Sequence, residues 1–110
     1  MNISVRATNG VEVLEFKGKM DAHGSAEAQA QLARLIEAGK RTIVANFEKL
    51  DYVNSTGIRV LLAVAKQLKV VGGELRICSL NEVVREVLDI SGFTMIFKVF
   101  GSEAEALEGL

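Results

Sequence analysis

The sequence predicts an α/β domain with an N-terminal β-hairpin, then alternating αβ units, giving a mixed four- to five-stranded sheet with helices packed against it. Three observations lead there. Apolar and polar residues alternate on both sides of Asn9-Gly10, a dipeptide suited to the positive φ values of a two-residue type I′ turn. Two helix-spaced stretches, residues 26–38 and 55–71, are followed by Gly39 and by Gly72-Gly73, and each then gives way to a short strand-like run. No proline, low-complexity segment or charge block divides the 110 residues, so residues 1–110 are expected to form a single domain.

Ile3, Val5 and Ala7 mark the first strand, and Val11, Val13 and Leu14 to Phe16 the second. Residues 18–24 read as a loop. Ser25 suits the N-cap of the first helix, with Gly24 or Asp21 as alternatives for a shifted start. Over residues 26–38, Ala28, Leu32, Leu35 and Ile36 make one apolar face, and Gly39 ends the helix. Residues 42–46 form a β-branched, buried strand, and 47–53 a connector to the helix at 55–71. Glu74–Cys78 turns Leu75 and Ile77 inward as another core strand. Asn81 caps a helix at Glu82–Ile90 whose buried side is Val83, Val84, Val87 and Leu88, and Ser91-Gly92 stops it. A last strand follows at 96–100. Ser102 then caps a short acidic helix, 103–108, in which Glu103, Glu105 and Glu108 form a solvated face. The order ββαβαβαβα makes the strand–helix–strand units parallel crossovers.

Composition narrows the function. Net charge is −1 and the lysines and arginines are scattered, so no basic patch is available to neutralise phosphates and no direct nucleic-acid contact is expected. The longest apolar run, residues 60–65, is far below the ~20 residues that span a bilayer, and the N-terminus has no secretory pattern. The expectation is a cytoplasmic protein with no membrane partner. Cys78 is the only cysteine, so there is no internal disulfide and no CxxC site; it reads as a small buried hydrophobe. His23 is the only histidine and is expected in a solvated loop, with no metal site around it. Phosphate-cradling glycine motifs are missing, and Ser55, His23 and Asp21 do not sit on a GxSxG elbow. No cofactor and no enzymatic activity are expected, and the absence of an extra apolar surface predicts a monomer when free.

The segment that stands out is Asn54-Ser55-Thr56-Gly57-Ile58 at the strand-to-helix turn. Two hydroxyls at a helix start are either N-caps or groups exposed at the positive helix end for a modifying enzyme or a partner. That segment, extended back to Asp51-Tyr52-Val53, occurs with Gly18-Lys19-Met20-Asp21, Gly72-Gly73-Glu74-Leu75 and Leu88-Asp89-Ile90-Ser91-Gly92-Phe93. In this order and spacing the four motifs resemble the STAS-domain anti-sigma factor antagonists of bacteria. The resemblance implies the STAS fold and a partner-switching role. Such a protein binds an anti-sigma factor that is also a serine kinase and so frees a sigma factor. The kinase ends the interaction by phosphorylating the position matching Ser55, and a PP2C-type phosphatase restores it.

On that resemblance Ser55 is the switch and Thr56 the cap. The implied partner-binding surface comprises Asp21, His23, Asn54, Ser55, Thr56, Gly57, Ile58, Arg59, Leu62 and Lys66. Within it Ile58 and Leu62 form an exposed apolar pair flanked by Arg59 and Lys66, suited to an acidic surface. Asn54 departs from the family pattern, which carries aspartate before the serine. The alternative reading is a non-enzymatic STAS accessory subunit of an ABC transporter or a stressosome-like scaffold, without a Ser55 switch.

Overall fold

A computed structural model describes all 110 residues. Asn9 and Gly10 take φ of 51° and 78°, and the turn they make joins β1 (Asn2–Thr8) to β2 (Val11–Met20) as an antiparallel hairpin in which Thr8 faces Val11. After α1 (Ala22–Glu37) come β3 (Thr42–Val53), α2 (Ser55–Val70), β4 (Glu74–Cys78) and α3 (Glu82–Ile90). A 3₁₀ turn at Phe93–Met95 leads into β5 (Lys98–Phe100) and α4 (Glu103–Leu107). The strands lie in the order β1-β2-β3-β4-β5, and every pair after the hairpin is parallel. The mixed sheet is therefore five-stranded, at the upper end of the expectation.

Adjacent residues along each strand serve opposite faces. Leu14, Ala45 and Ile77 join Leu32 of α1, Leu61 and Leu68 of α2 and Leu88 of α3 in the main core. Phe16 and Phe47 sit at its centre, ring edge against ring face at 5.3 Å. On the other face, Val13, Val44 and Cys78 make a smaller cluster closed by Ala106 of α4. Burial pushes the Cys78 thiol up from its ordinary pKa, in keeping with its place as a core hydrophobe. No helix is long and apolar enough to cross a membrane.

Several boundaries differ from the sequence reading. The segment 47–53 is strand, not connector. Between Glu15/Lys17 and Gly18/Lys19 the β2–β3 register slips, each time leaving an extra residue on β3, so Phe47, Leu50 and Val53 are buried at every third position instead of every second. At the first slip the Asn46 side-chain oxygen accepts the Glu48 N–H at 2.9 Å. Residues 18–24 are not a loop either. β2 runs to Met20, and Asp21 is the N-cap of α1, so His23, Gly24 and Ser25 lie in that helix. Gly24 is required there because a Cβ would stand 2.3 Å from the Lys19 carbonyl oxygen. Ser25, expected as a cap, is fully buried with its hydroxyl unpaired. Val83 is exposed, not on the buried side of α3, and the last strand starts at Lys98.

The acidic face of α4 is also not simply solvated. Glu103 pairs with Arg6 of β1 and accepts from the Asn46 amide at 3.0 Å. Burial raises its carboxyl pKa, but the hydrogen bonds from Asn46 and Arg6 outweigh that and hold it below the ordinary 4.5. Glu74 behaves alike: burial acts upward, and the Lys98 and Arg76 partners bring it below 4.5. A carboxylate with a depressed folded pKa stabilises the fold above its unfolded pKa and loses that contribution as pH falls through the folded value. The urea midpoint should accordingly hold steady from neutral pH down to about 4.5 and decline below it. Glu103→Gln should flatten part of that decline; an unchanged acid profile in the variant would contradict the assignment.

Candidate functional site

Parallel strands β2, β3 and β4 deliver their C-terminal ends to the N-termini of α1, α2 and α3, and at each junction a short polar side chain caps the helix. Asp21 accepts from the Gly24 N–H at 2.9 Å, Asn54 from Gly57 at 3.0 Å and Asn81 from Val84 at 2.8 Å. Two further bonds tie the junctions together. The Asn54 N–H donates to the Met20 carbonyl at 3.1 Å, and the Asn81 side-chain amide donates to the Leu50 carbonyl at 2.8 Å. The starts of α1 and α2 are thus fixed side by side.

The cap of α2 is Asn54, not Thr56 or Ser55. A cap needs an extended backbone, which Asn54 has (φ −102°, ψ −179°), whereas Ser55 and Thr56 are already the first helical residues. Both hydroxyl residues are exposed. Among the first-turn amides, Gly57 is engaged by the Asn54 side chain and Ile58 by the Asn54 carbonyl. The amides of Ser55 and Thr56 remain available to an anion at the positive end of the helix. Asn54→Ala should therefore lower stability by about 1 kcal/mol, and Ser55→Ala should leave it within about 0.5 kcal/mol. Chemical denaturation of the two variants checks this; a larger loss for Ser55→Ala would mean that the serine is the true cap.

Gly57 and Ile58 point inward. A Cβ on Gly57 would lie 2.8 Å from the Met20 sulfur and from Val53 Cγ2, so the close approach it permits is to the protein's own core. Ile58 is 5% exposed and packs among the core residues, so the exposed apolar pair with Leu62 does not exist. The reason is helical phase. Ile58, Leu61, Val64 and Leu68 share the buried stripe, while Ser55, Arg59, Leu62 and Lys66 follow at i, i+4, i+7 and i+11 on the outer one. On that outer stripe Arg59 and Lys66 are exposed and Leu62 is half-buried.

Asp21 is exposed beside the α2 start. The Gly24 N–H holds its carboxyl below the ordinary 3.8, against a smaller opposing effect of burial. His23 lies in the first turn of α1 and not in a loop, with Nε2 2.9 Å from Glu27 Oε1. Sequence reasoning passed over Tyr52, which is 42% exposed at the end of β3 opposite Lys19. It is the only tyrosine and stands in a polar stretch, a usable signal for a contact residue. The surface therefore offers an uncapped serine, an aromatic side chain, and acidic and basic groups on a rigid edge. An exposed hydroxyl among such groups suits docking and modification.

Residues 2–106 match the STAS domain family. A Bordetella bronchiseptica protein named as an anti-sigma factor antagonist, BtrV, is 39% identical over 106 residues, covering 96% of this chain and 91% of its own. The anti-sigma F factor antagonist of Paenibacillus polymyxa is 29% identical over 111 residues, covering 100% of this chain and 95% of its own. Among solved structures, the anti-sigma factor antagonist SpoIIAA in its unphosphorylated form superposes with a TM-score of 0.84 at 26% identity, covering 97% of this chain and 94% of that one. The phosphorylated form of SpoIIAA, a Bacillus protein, gives a TM-score of 0.76 at 25% identity, with 97% of each chain covered. The family match over nearly the whole sequence, with the fold agreement beside it, identifies this chain as a member of the STAS domain family.

Proposed function

We propose that the protein is an anti-sigma factor antagonist that docks through the edge formed by the starts of α1 and α2, and that phosphorylation of Ser55 ends the interaction. The observation that carries this is the division of labour at the α2 start. Asn54 fills the cap, and the Ser55 hydroxyl is left free at the positive helix end. The curated relatives bear the name of anti-sigma factor antagonist, and SpoIIAA has been solved both with and without phosphate. The partner is an anti-sigma factor with serine kinase activity, and a PP2C-type phosphatase resets the switch.

Asn54 fits this reading on physical grounds. Its amide caps the helix as an aspartate would, and it does so without charge. A phosphoserine carries about −1.5 to −2 charges at neutral pH. With asparagine before it, that charge meets the helix dipole and the free Ser55 and Thr56 amides with no like charge on the preceding residue. The modified helix start is therefore stable.

The test uses the serine kinase of the same genome with ATP. The expected result is a gain of one phosphate, located at Ser55 by peptide mass spectrometry, and loss of the complex on modification. Ser55→Ala should take up no phosphate and still bind. A wild-type protein that binds no such kinase, or that is modified elsewhere, would overturn the proposal.

A further inference from the structure

Beyond the docking edge, the second half of α2 lines a groove of about 530 Å³ that opens between this helix, the start of β4 and the segment before β5. Its size falls in the ~300–1,000 Å³ range typical of small-molecule sites. Leu75 and Phe97 form its floor, each 5% exposed, with Leu62 on the helix side. Lys66, Lys69 and Lys98 stand around it.

The charge is lopsided. Three lysines and one glutamate, Glu74, give the lining a net charge of +2 in a chain whose net charge is −1. That glutamate is already engaged, with Lys98 Nζ 3.1 Å from one oxygen and Arg76 Nη2 2.9 Å from the other. Lys66 and Lys69, one turn apart on the same helix and both exposed, have no acidic partner within ion-pair distance. An apolar floor with two free cations on one rim complements a ligand with an anionic head and an apolar tail. Leu62, the lining residue nearest Ser55 along α2, lies seven residues beyond it, about 10 Å along the helix at ~1.5 Å per residue, and Ser55 does not line the groove.

We propose that this groove is a binding site for a single-chain aliphatic carboxylate, with its carboxylate held by Lys66 and Lys69 and its tail laid on Leu62, Leu75 and Phe97. The head is held by charge-assisted hydrogen bonds from the two ammonium groups. The tail supplies affinity in proportion to the methylenes it removes from water, at most about fourfold per CH₂.

The experiment titrates decanoate, kept below its micelle concentration, into isotope-labelled protein followed by NMR. Expected are saturable shifts clustered at Leu62, Leu75 and Phe97. Shortening the ligand to octanoate should weaken binding by about fourfold to fifteenfold, up to about fourfold for each of two methylenes. Acetate and decyltrimethylammonium should each bind at least about tenfold more weakly than decanoate, since one lacks the tail and the other reverses the head. The double variant Lys66→Gln/Lys69→Gln should lose about tenfold or more in decanoate affinity, whereas Lys17→Gln, on β2, should lose nothing. Both substitutions lie on the exposed face of α2, so the fold is retained, and the amide spectrum of the free variant verifies it.

Equal binding of the decyl cation would mean a merely greasy surface, and an unaffected double variant would mean that the lysines do not hold the head. Either result overturns the proposal. So does the absence of saturable decanoate binding, including the case in which an acidic amphipathic peptide binds the groove and decanoate does not. None of these outcomes depends on whether Ser55 is phosphorylated.

Discussion

Phosphorylated Ser55, or its mimic Ser55→Asp, is expected to bind the anti-sigma factor about 100-fold or more weakly while the fold keeps its stability to within about 1 kcal/mol. The two halves of this expectation come from different groups. Stability is spared because Ser55 is exposed and supplies no cap; the bond to the Gly57 N–H comes from Asn54. A negative charge at the first helical position also faces the unused amides of Ser55 and Thr56 and the positive helix end. Binding is lost because a partner shaped around a small neutral hydroxyl meets bulk and charge, and mismatched charge at a contact costs several kcal/mol. Calorimetric titration with the partner and urea denaturation of the same samples separate the two. Equal affinity for modified and unmodified protein would end the switch hypothesis. A parallel collapse of stability would place the effect on the fold and not on the interface.

The contrast between Ser55 and Asn54 also shows what the sequence carried and what it hid. Hairpin, helix and strand order were legible because the turn chemistry at Asn9-Gly10, the cap at Asn81 and the stop at Gly72-Gly73 are local signals, and each is used as expected. The second half of β3 is not legible because it breaks the alternation that marks a strand. Two extra residues reset the alternation, so Phe47, Leu50 and Val53 recur with a period of three. The start of α1 at Asp21, one of three candidate caps in the sequence, is obscured for a related reason. Gly24 looks like a helix breaker, and only the nearby Lys19 carbonyl explains why a first-turn glycine is needed. At the site, the position of Ser55 at a helix start was readable. Which of three polar residues makes the cap was not, since Asn54, Ser55 and Thr56 are all competent and backbone geometry alone decides. The burial of Ile58 is not legible because an isoleucine three residues past a surface serine shares its face only approximately. Packing against Met20 and Val53 turns that side of the helix start into the core.

The same end-of-helix logic makes Gly73→Ala the substitution with the largest expected cost to the fold, about 3 kcal/mol or more, with a fall in melting temperature of more than about 10 °C. Gly72 and Gly73 both close α2, but for different reasons. The Gly72 N–H donates to the Lys69 carbonyl at 3.1 Å and the Gly73 N–H to the Leu68 carbonyl at 2.7 Å, the paired bonds of a Schellman ending. Gly72 carries the positive φ of 80°, and a Cβ there would point into open space. Gly72→Ala should cost only the left-handed strain, about 1–2 kcal/mol. At Gly73 a Cβ would stand 1.9 Å from the Arg41 carbonyl oxygen and 2.8 Å from its carbon. That obstruction is backbone and has little room to yield. The Arg41 carbonyl accepts the Glu74 N–H at 2.9 Å, and the Arg41 guanidinium donates to the Val71 carbonyl at 2.9 Å. Relief of the clash must therefore separate the loop from β3 at the point where Thr42 and Glu74 begin the β3–β4 ladder. Thermal and urea melts of the two variants decide the matter. If Gly73→Ala proves no more damaging than Gly72→Ala, the close approach of these two backbones is not what fixes the register of the central sheet.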